Sequence, residues 1–230
     1  MGVLSRSMED RGDVSKDEET SLERQQAWRS QRVAELSSGI AHEVRNPLNA
    51  MAIHLEVLSD KLRDMEGELP APVRPNLEAI RSQIHRLDGI IRQFSDFAQG
   101  RAPSHVLADI VDAALALCAF PMRRKGLEVE LSALPDALVE DGAAISLVVV
   151  ETLLLGVEAA EVGAKIGISV EKGKKDIQIC FRSNLEPGVF DEERLKLVGA
   201  LLGEQGGRLE TEARPDTFAV LSIPVEVPST

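Results

Sequence analysis

The stretch LSSGIAHEVRNPLNAMAIHLEVLSDKL, residues 36–62, decides how the N-terminal part of the chain folds. Apolar residues recur along it at steps of four and three: Leu36, Ile40, Val44, Leu48, Met51, Leu55, Leu58 and Leu62. This spacing places them on one face of an amphipathic helix. Between Leu22 and Met65 the only glycine is Gly39 and the only proline is Pro47, so the pattern predicts one long helix.

A second apolar stripe follows a proline-rich turn, GELPAPVRP, at residues 67–75. It consists of Leu77, Ile80, Ile84, Leu87, Ile91, Phe94 and Phe97. Two long helices joined by a short turn form an antiparallel hairpin, predicted over 23–100. Because two helices cannot bury both stripes, we expect two hairpins to form a homodimeric four-helix bundle. The alternative is that the hairpin packs on the rest of its own chain.

The regions flanking the hairpin have different patterns. Residues 1–22 are polar and charged without sustained periodicity, which predicts a disordered leader. Residues 104–227 alternate between helical and extended patterns. Expected helices are 106–120, 143–160 and 191–205, expected strands are 127–131, 165–171, 176–182, 208–212 and 217–225, and Pro121 and Pro135 fall in expected loops. A mixed sheet covered on one face by about three helices forms an α/β sandwich.

The charge balance excludes several classes of protein. The 26 Lys and Arg residues against 38 Asp and Glu give a formal net charge of −12. Binding to nucleic acid or to an anionic membrane needs a basic face, so neither partner is expected. No stretch approaches the ~18 to 20 apolar residues of a membrane span, and the N-terminus lacks the apolar core of a signal peptide. Two cysteines, Cys118 and Cys180, are too few for a disulfide framework, so we expect a cytoplasmic protein.

The candidate chemistry lies in AHEVRNPL, residues 41–48. At about 100° per residue, His42 lies about 200° from Ile40 and is expected on the solvent side. Glu43 follows it directly, and Asn46 lies one turn further on. A neutral imidazole is a nucleophile for phosphorus, and a neighbouring carboxylate can hold its other ring nitrogen. Pro47 lacks an N–H and is expected to bend the helix there, whereas the simpler interpretation of His42 is a surface histidine.

The segment HEVRNPL resembles the phosphoacceptor box of the two-component sensor histidine kinases. The predicted hairpin is similar to their dimerisation and histidine-phosphotransfer domain. The resemblance implies that His42 is phosphorylated and that Glu43 is its acid/base partner. It also implies a link between Asn46 and dephosphorylation of a partner response regulator.

The remainder of the chain resembles the ATP-binding domain of those kinases in outline only. The family carries an Asn-rich helix that holds magnesium and phosphate, but here Glu151 and Leu155 stand where two asparagines are expected. Leucine cannot ligate a hard cation that prefers oxygen. The Asp-x-Gly-x-Gly turn is reduced to NLEPG at 184–188, and about eight residues before the helix around Leu197 leave no room for a lid. We therefore expect a degenerate domain that has lost ATP and magnesium binding.

These features favour a histidine phosphotransferase of a phosphorelay. His42 would exchange a phosphoryl group with the aspartate of response-regulator receiver domains, without ATP and without a cofactor. One alternative is a divergent kinase that still phosphorylates His42 from ATP. Another is a dimeric adaptor, or a phosphatase, that acts on a response regulator.

Overall fold

The computed structural model of this chain describes residues 6–63, 74–102, 104–135, 137–173, 176–183, 190–211 and 216–225. The elements in chain order are α1 (Arg6–Arg63), α2 (Arg74–Ala98), α3 (Leu107–Arg124), β1 (Glu128–Leu131), α4 (Gly142–Ala159), β2 (Lys165–Lys172), β3 (Asp176–Arg182), α5 (Glu192–Glu204), β4 (Arg208–Glu210) and β5 (Thr217–Pro224). A helical hairpin is therefore followed by an α/β domain, which confirms the predicted fold class.

Helix α1 is longer than the sequence predicted. It begins at Arg6, so residues 6–22, assigned to a disordered leader, are helical. Once a first turn exists, each further residue adds a hydrogen bond at low cost, so a polar segment without proline can extend a helix that packs further along. Pro47 lies inside α1, where its missing N–H removes the helical bond to the carbonyl of Glu43.

The sheet has five strands in the order β1-β2-β3-β5-β4. Strands β1 and β2 are parallel, whereas the other three pairs are antiparallel. Ile168 lies opposite Phe181, and Ile179 lies opposite Leu221, so strand alternation gives all four side chains one face. They belong to a buried core cluster that also contains residues of α3, α4 and α5. These three helices therefore cover this face of the sheet.

Helix α3 continues through Pro121, which corrects the prediction of a loop there. The final turn is held in place because Met122 is buried and the N–H of Lys125 donates to the carbonyl of Pro121 at 3.3 Å. A proline inside a helix removes one hydrogen bond, and burial of the following turn offsets that loss here. As a result α3 ends at Arg124, with two arginines in its last turn.

Helix α4 forms the centre of the α/β core. By length and composition it is the one helix among the described residues that could cross a membrane, so the prediction that no stretch approaches a span was too strong. Most of the helix is buried inside the fold, and Leu147, Leu153 and Glu151 are fully covered. Its apolar composition is explained by contacts on all sides within the domain.

Candidate functional site

The predicted site residues lie in the middle of α1, but on different faces. The side chain of His42 is outside the described part of the structure, so its solvent-side position stays a prediction. Asn46, one turn later, is exposed, as a residue that contacts a receiver or a water needs to be. Glu43 is buried, and so is Pro47.

Glu43 points towards the α/β domain. Its Oε1 accepts a hydrogen bond from Nη2 of Arg123, in the last turn of α3. One turn earlier, α1 and α3 are in close contact, because a Cβ at Gly39 would lie 2.8 Å from Cδ1 of Phe120. The carboxylate beside the candidate phosphoacceptor is thus fixed by a residue outside the helical hairpin.

Residues 25–47 of α1 contain side chains that contact the α/β domain, and we call this stretch the domain-facing half. Its buried residues recur at helical spacing and are Gln25, Arg29, Arg32, Leu36, Gly39, Glu43 and Pro47. Four of the seven are polar or charged, which is unusual for a buried face and requires partners. Arg29 donates to the carbonyl of Ala143 in α4 at 3.4 Å, and burial lowers its pKa while the charge of Asp141 opposes that shift.

Glu151, at 0% exposure in the middle of α4, lies between two arginines. Nε of Arg32 from α1 lies 2.7 Å from Oε1, and Nη2 of Arg194 from α5 donates to Oε2 at 3.1 Å. Burial raises the pKa of Glu151, and the charges of Arg32 and Arg194 oppose that rise. Burial lowers the pKa of Arg194, but the carboxylates of Glu151 and Glu158 outweigh it, so the net shift is upwards. The group joins the helical hairpin to the α/β domain.

The side chains at this position do not fit a magnesium-bound nucleotide of the kind that the resemblance implies. Both carboxylate oxygens of Glu151 lie within 3.3 Å of guanidinium nitrogens. Leu155, one turn later, is buried in the core and offers no oxygen. Across the described residues, no group of three or more His, Cys, Asp or Glu side chains could hold a metal ion. The reduced turn at 184–188 lies outside the described residues.

Two of the other histidines and one of the cysteines have local explanations. Nδ1 of His54 lies 3.3 Å from Oδ1 of Asn76, and Nδ1 of His105 lies 3.1 Å from the carbonyl of Val139. Cys118 is fully buried, and burial, together with the nearby carboxylates, raises the pKa of its thiol. None of these contacts involves Glu43.

Sequence reasoning missed Arg32, Arg123 and Arg194. For Arg32 a signal existed: extending the apolar stripe back from Leu36 by steps of four and three reaches Arg32 and Arg29. A charged residue in a buried register predicts a buried partner of opposite charge. For Arg123 and Arg194 the sequence carries no such signal, because their partners are 80 and 43 residues away along the chain.

Comparisons with known proteins bear first on the hairpin. Residues 32–103 match the His Kinase A (phospho-acceptor) domain. No curated protein sequence matches the chain. The catalytic domain of histidine kinase ThkA shares 18% identity over 52% of this chain and 93% of that one, with a TM-score of 0.46. Histidine kinase AdeS from Acinetobacter baumannii shares 15% sequence identity over 81% of this chain and 98% of its own, also with a TM-score of 0.46.

A crystal structure of ThkA in complex with the response regulator TrrA covers 90% of this chain and 65% of its own, at 17% identity and a TM-score of 0.46. The domain assignment rests on the phospho-acceptor match and on the helices of this chain. The match covers the α1–α2 hairpin that contains HEVRNPL. Residues 32–103 are therefore a His Kinase A (phospho-acceptor) domain, which confirms the predicted resemblance to the two-component sensor histidine kinases.

Proposed function

We propose that this chain is a dimeric histidine phosphotransferase that exchanges a phosphoryl group with response-regulator receiver domains without using ATP. A ring nitrogen of His42 attacks the phosphorus of the receiver's aspartyl phosphate. The N–P bond forms as the P–O bond breaks, and the aspartate leaves as a carboxylate. Glu43 stabilises the positive charge that develops on the imidazole. The reverse step returns the phosphoryl group to a second receiver.

The observation that carries this proposal is the arrangement around Glu151. A magnesium-bound triphosphate needs free oxygen ligands and space for its charge. Here two guanidinium groups, from Arg32 and Arg194, already neutralise the one carboxylate at that position. A histidine in a phosphoacceptor domain without a nucleotide site must receive its phosphoryl group from another protein. Aspartyl phosphate on a receiver domain is the donor whose chemistry fits.

The exposed apolar residues of the hairpin support the dimer. Three on α1 and three on α2 recur at steps of seven: Leu48, Leu55 and Leu62, and Leu77, Ile84 and Ile91, each 42–54% exposed. Seven-residue spacing is typical of a helix seam that packs against another helix. A second copy of the hairpin presents the same two stripes and would complete a four-helix bundle. A cytoplasmic location remains part of the same proposal.

Phosphotransfer profiling tests the function directly. Purified receiver domains carrying labelled aspartyl phosphate are mixed with the full chain, and a parallel series contains labelled ATP and magnesium instead. We expect label on the chain from at least one receiver and none from ATP. Label from ATP would establish the divergent kinase. Failure to acquire label from either donor, together with stable receiver binding, would establish the adaptor.

Variants of the three predicted site residues separate the steps. His42→Ala should abolish labelling while leaving folding nearly unchanged, because surface substitutions typically change stability by less than about 0.5 kcal/mol. Glu43→Gln should slow transfer by about 10² to 10⁴-fold, the usual contribution of an acid–base partner. Asn46→Ala should change the rate at which the receiver's aspartyl phosphate is hydrolysed more than it changes the rate of transfer to His42. Persistent labelling of His42→Ala contradicts the proposed phosphoacceptor.

A further inference from the structure

The α/β domain contacts the candidate catalytic centre at one carboxylate. The side chain of Glu43 is 7% exposed, whereas that of its partner Arg123 is 53% exposed. A buried carboxylate needs a hydrogen-bonding or cationic partner, and Arg123 supplies one to Glu43. Arg123, in contrast, is solvated over half of its surface and does not depend on Glu43. The contact therefore restricts the side chain of Glu43 more than that of Arg123.

The end of α3 is held at a fixed distance from α1. Phe120 fits against Gly39, where even a methyl group would come within 3.0 Å of Phe120 Cβ. Met122, in the next turn of α3, is 4% exposed and belongs to the domain core. Arg123 therefore projects from a turn that is anchored on both sides. Such a position suits a residue that orients another side chain, because the backbone that carries it has little conformational freedom.

We propose that Arg123 is a positioning residue that orients the carboxylate of Glu43, so that the α/β domain takes part in phosphoryl transfer at His42. This inference rests on the proposed function. When the imidazole attacks phosphorus, positive charge develops on the ring, and an oriented carboxylate stabilises that charge. Arg123 holds one oxygen of Glu43, which fixes the plane of the carboxylate relative to α1. The domain thereby acts on the reaction without nucleotide.

The test compares transfer rates for variants at the end of α3. Arg123→Gln should lower kcat for transfer from a phosphorylated receiver by up to about 10²-fold, with KM for the receiver unchanged. Arg123→Lys keeps the positive charge and should recover part of that loss. The matched control is Arg124→Gln, which removes the same charge from the neighbouring exposed residue and should leave both constants unchanged.

A double variant distinguishes positioning from a general effect on structure. In a Glu43→Gln background, Arg123→Gln should have no further effect on kcat, because the carboxylate it positions is gone. The double variant also leaves no unpaired charge, so it is expected to fold if Arg123→Gln alone does not. Additive losses in the double variant, or an unchanged kcat in Arg123→Gln, overturn the inference. The wild-type rate separates the role of Arg123 from the proposed function, because a wild-type chain that takes no label refutes the proposed function itself.

Discussion

The two halves of the hairpin's first helix meet opposite surroundings. In the domain-facing half, residues 25–47, the buried face is largely polar and is matched by charged groups of the α/β domain. In the stretch that follows, residues 48–62, which we call the free half, five large apolar residues are exposed. Both halves have the same helical periodicity, so periodicity alone does not distinguish them. The chemistry of the face indicates which partner each half requires.

The difference bears on both interpretations of the hairpin, packing on its own chain and pairing with a second copy. Leu36, Phe97 and Glu43 pack on or pair with the same chain's α/β domain, so the hairpin does contact the rest of its own chain. Further along α1 and α2, apolar residues remain exposed within the single chain. A polar face with specific ion pairs is selective for one partner, whereas an apolar face at seven-residue spacing fits a second hairpin.

The largest expected effect is loss of the dimer when the free half receives a charge. Leu55 is 54% exposed in the single chain, so Leu55→Glu should cost the monomer little. In a symmetric dimer two leucines are lost, at about 1.5 to 3 kcal/mol each, and the dissociation constant should rise by at least about 100-fold. Analytical ultracentrifugation should show a folded monomer.

The control for that change lies in the α/β domain. Val162, at 83% exposure, is also apolar and exposed, but it lies outside the hairpin. Val162→Glu should leave the dimer intact. If both variants dissociate to the same extent, or if Leu55→Glu remains dimeric, the free half is not the dimer seam.

Much of the fold could be predicted from the sequence because the signals are local. The strand expected over 176–182 coincides with β3, and the helix expected over 143–160 is α4, Gly142–Ala159. Turn residues and alternating apolar residues mark such elements directly. The errors occurred where the decisive contact is distant. Pro121 was placed in a loop because its local effect breaks helices, whereas burial of the turn that follows keeps α3 intact.

The second expected effect tests the domain-facing half through Glu151. Glu151→Gln leaves two nearly buried arginines, Arg32 and Arg194, facing a neutral amide. Breaking a buried ion pair in this way typically costs about 3 to 5 kcal/mol. We expect the melting temperature to fall by roughly 10 °C. An unchanged melting temperature would show that the network does not stabilise the contact between the two domains.

An exposed ion pair provides the matched control for Glu151. Nζ of Lys165 lies 2.7 Å from Oε1 of Glu130, and both side chains are more than half exposed. Solvent screens such a pair, so Lys165→Gln should not measurably change the melting temperature. Equal shifts for Glu151→Gln and Lys165→Gln would mean that burial does not distinguish the two pairs.

The candidate site could be located from the sequence, but the residues that contact Glu43 and Glu151 could not be predicted. The resemblance of HEVRNPL to a phosphoacceptor box pointed to His42, Glu43 and Asn46, and the phospho-acceptor domain match over residues 32–103 includes that segment. The partner of Glu43 could not be found in this way, since Arg123 is 80 residues further along the chain. Glu151 was singled out in the sequence because it stands where the resemblance implies an asparagine, and the structure buries it in the middle of α4. That two arginines surround it depends on the packing of α1 and α5 against α4, which local pattern does not encode.

The smallest expected effect compares two helical glycines, one where an added methyl group should stabilise the chain and one where it should not. A Cβ at Gly39 would lie 2.8 Å from Cδ1 of Phe120, whereas a Cβ at Gly89 in α2 would meet nothing within 4 Å. Replacing glycine by alanine inside a helix gains up to about 1 kcal/mol of helix propensity. At Gly89 that gain is unopposed, so Gly89→Ala should stabilise the chain. At Gly39 overpacking costs about 1 to 3 kcal/mol, and Gly39→Ala should be neutral to destabilising by about 2 kcal/mol.

Denaturant unfolding of the two alanine variants measures the difference directly. Because Gly39 lies one turn before Glu43, displacement of α3 by the added methyl group also moves Arg123 away from its carboxylate. Gly39→Ala should therefore slow transfer from a phosphorylated receiver more than its small change in stability accounts for, whereas Gly89→Ala should transfer at the wild-type rate. If both variants are stabilised alike and transfer equally well, the close approach of α3 to α1 at Gly39 does not constrain the domain-facing half.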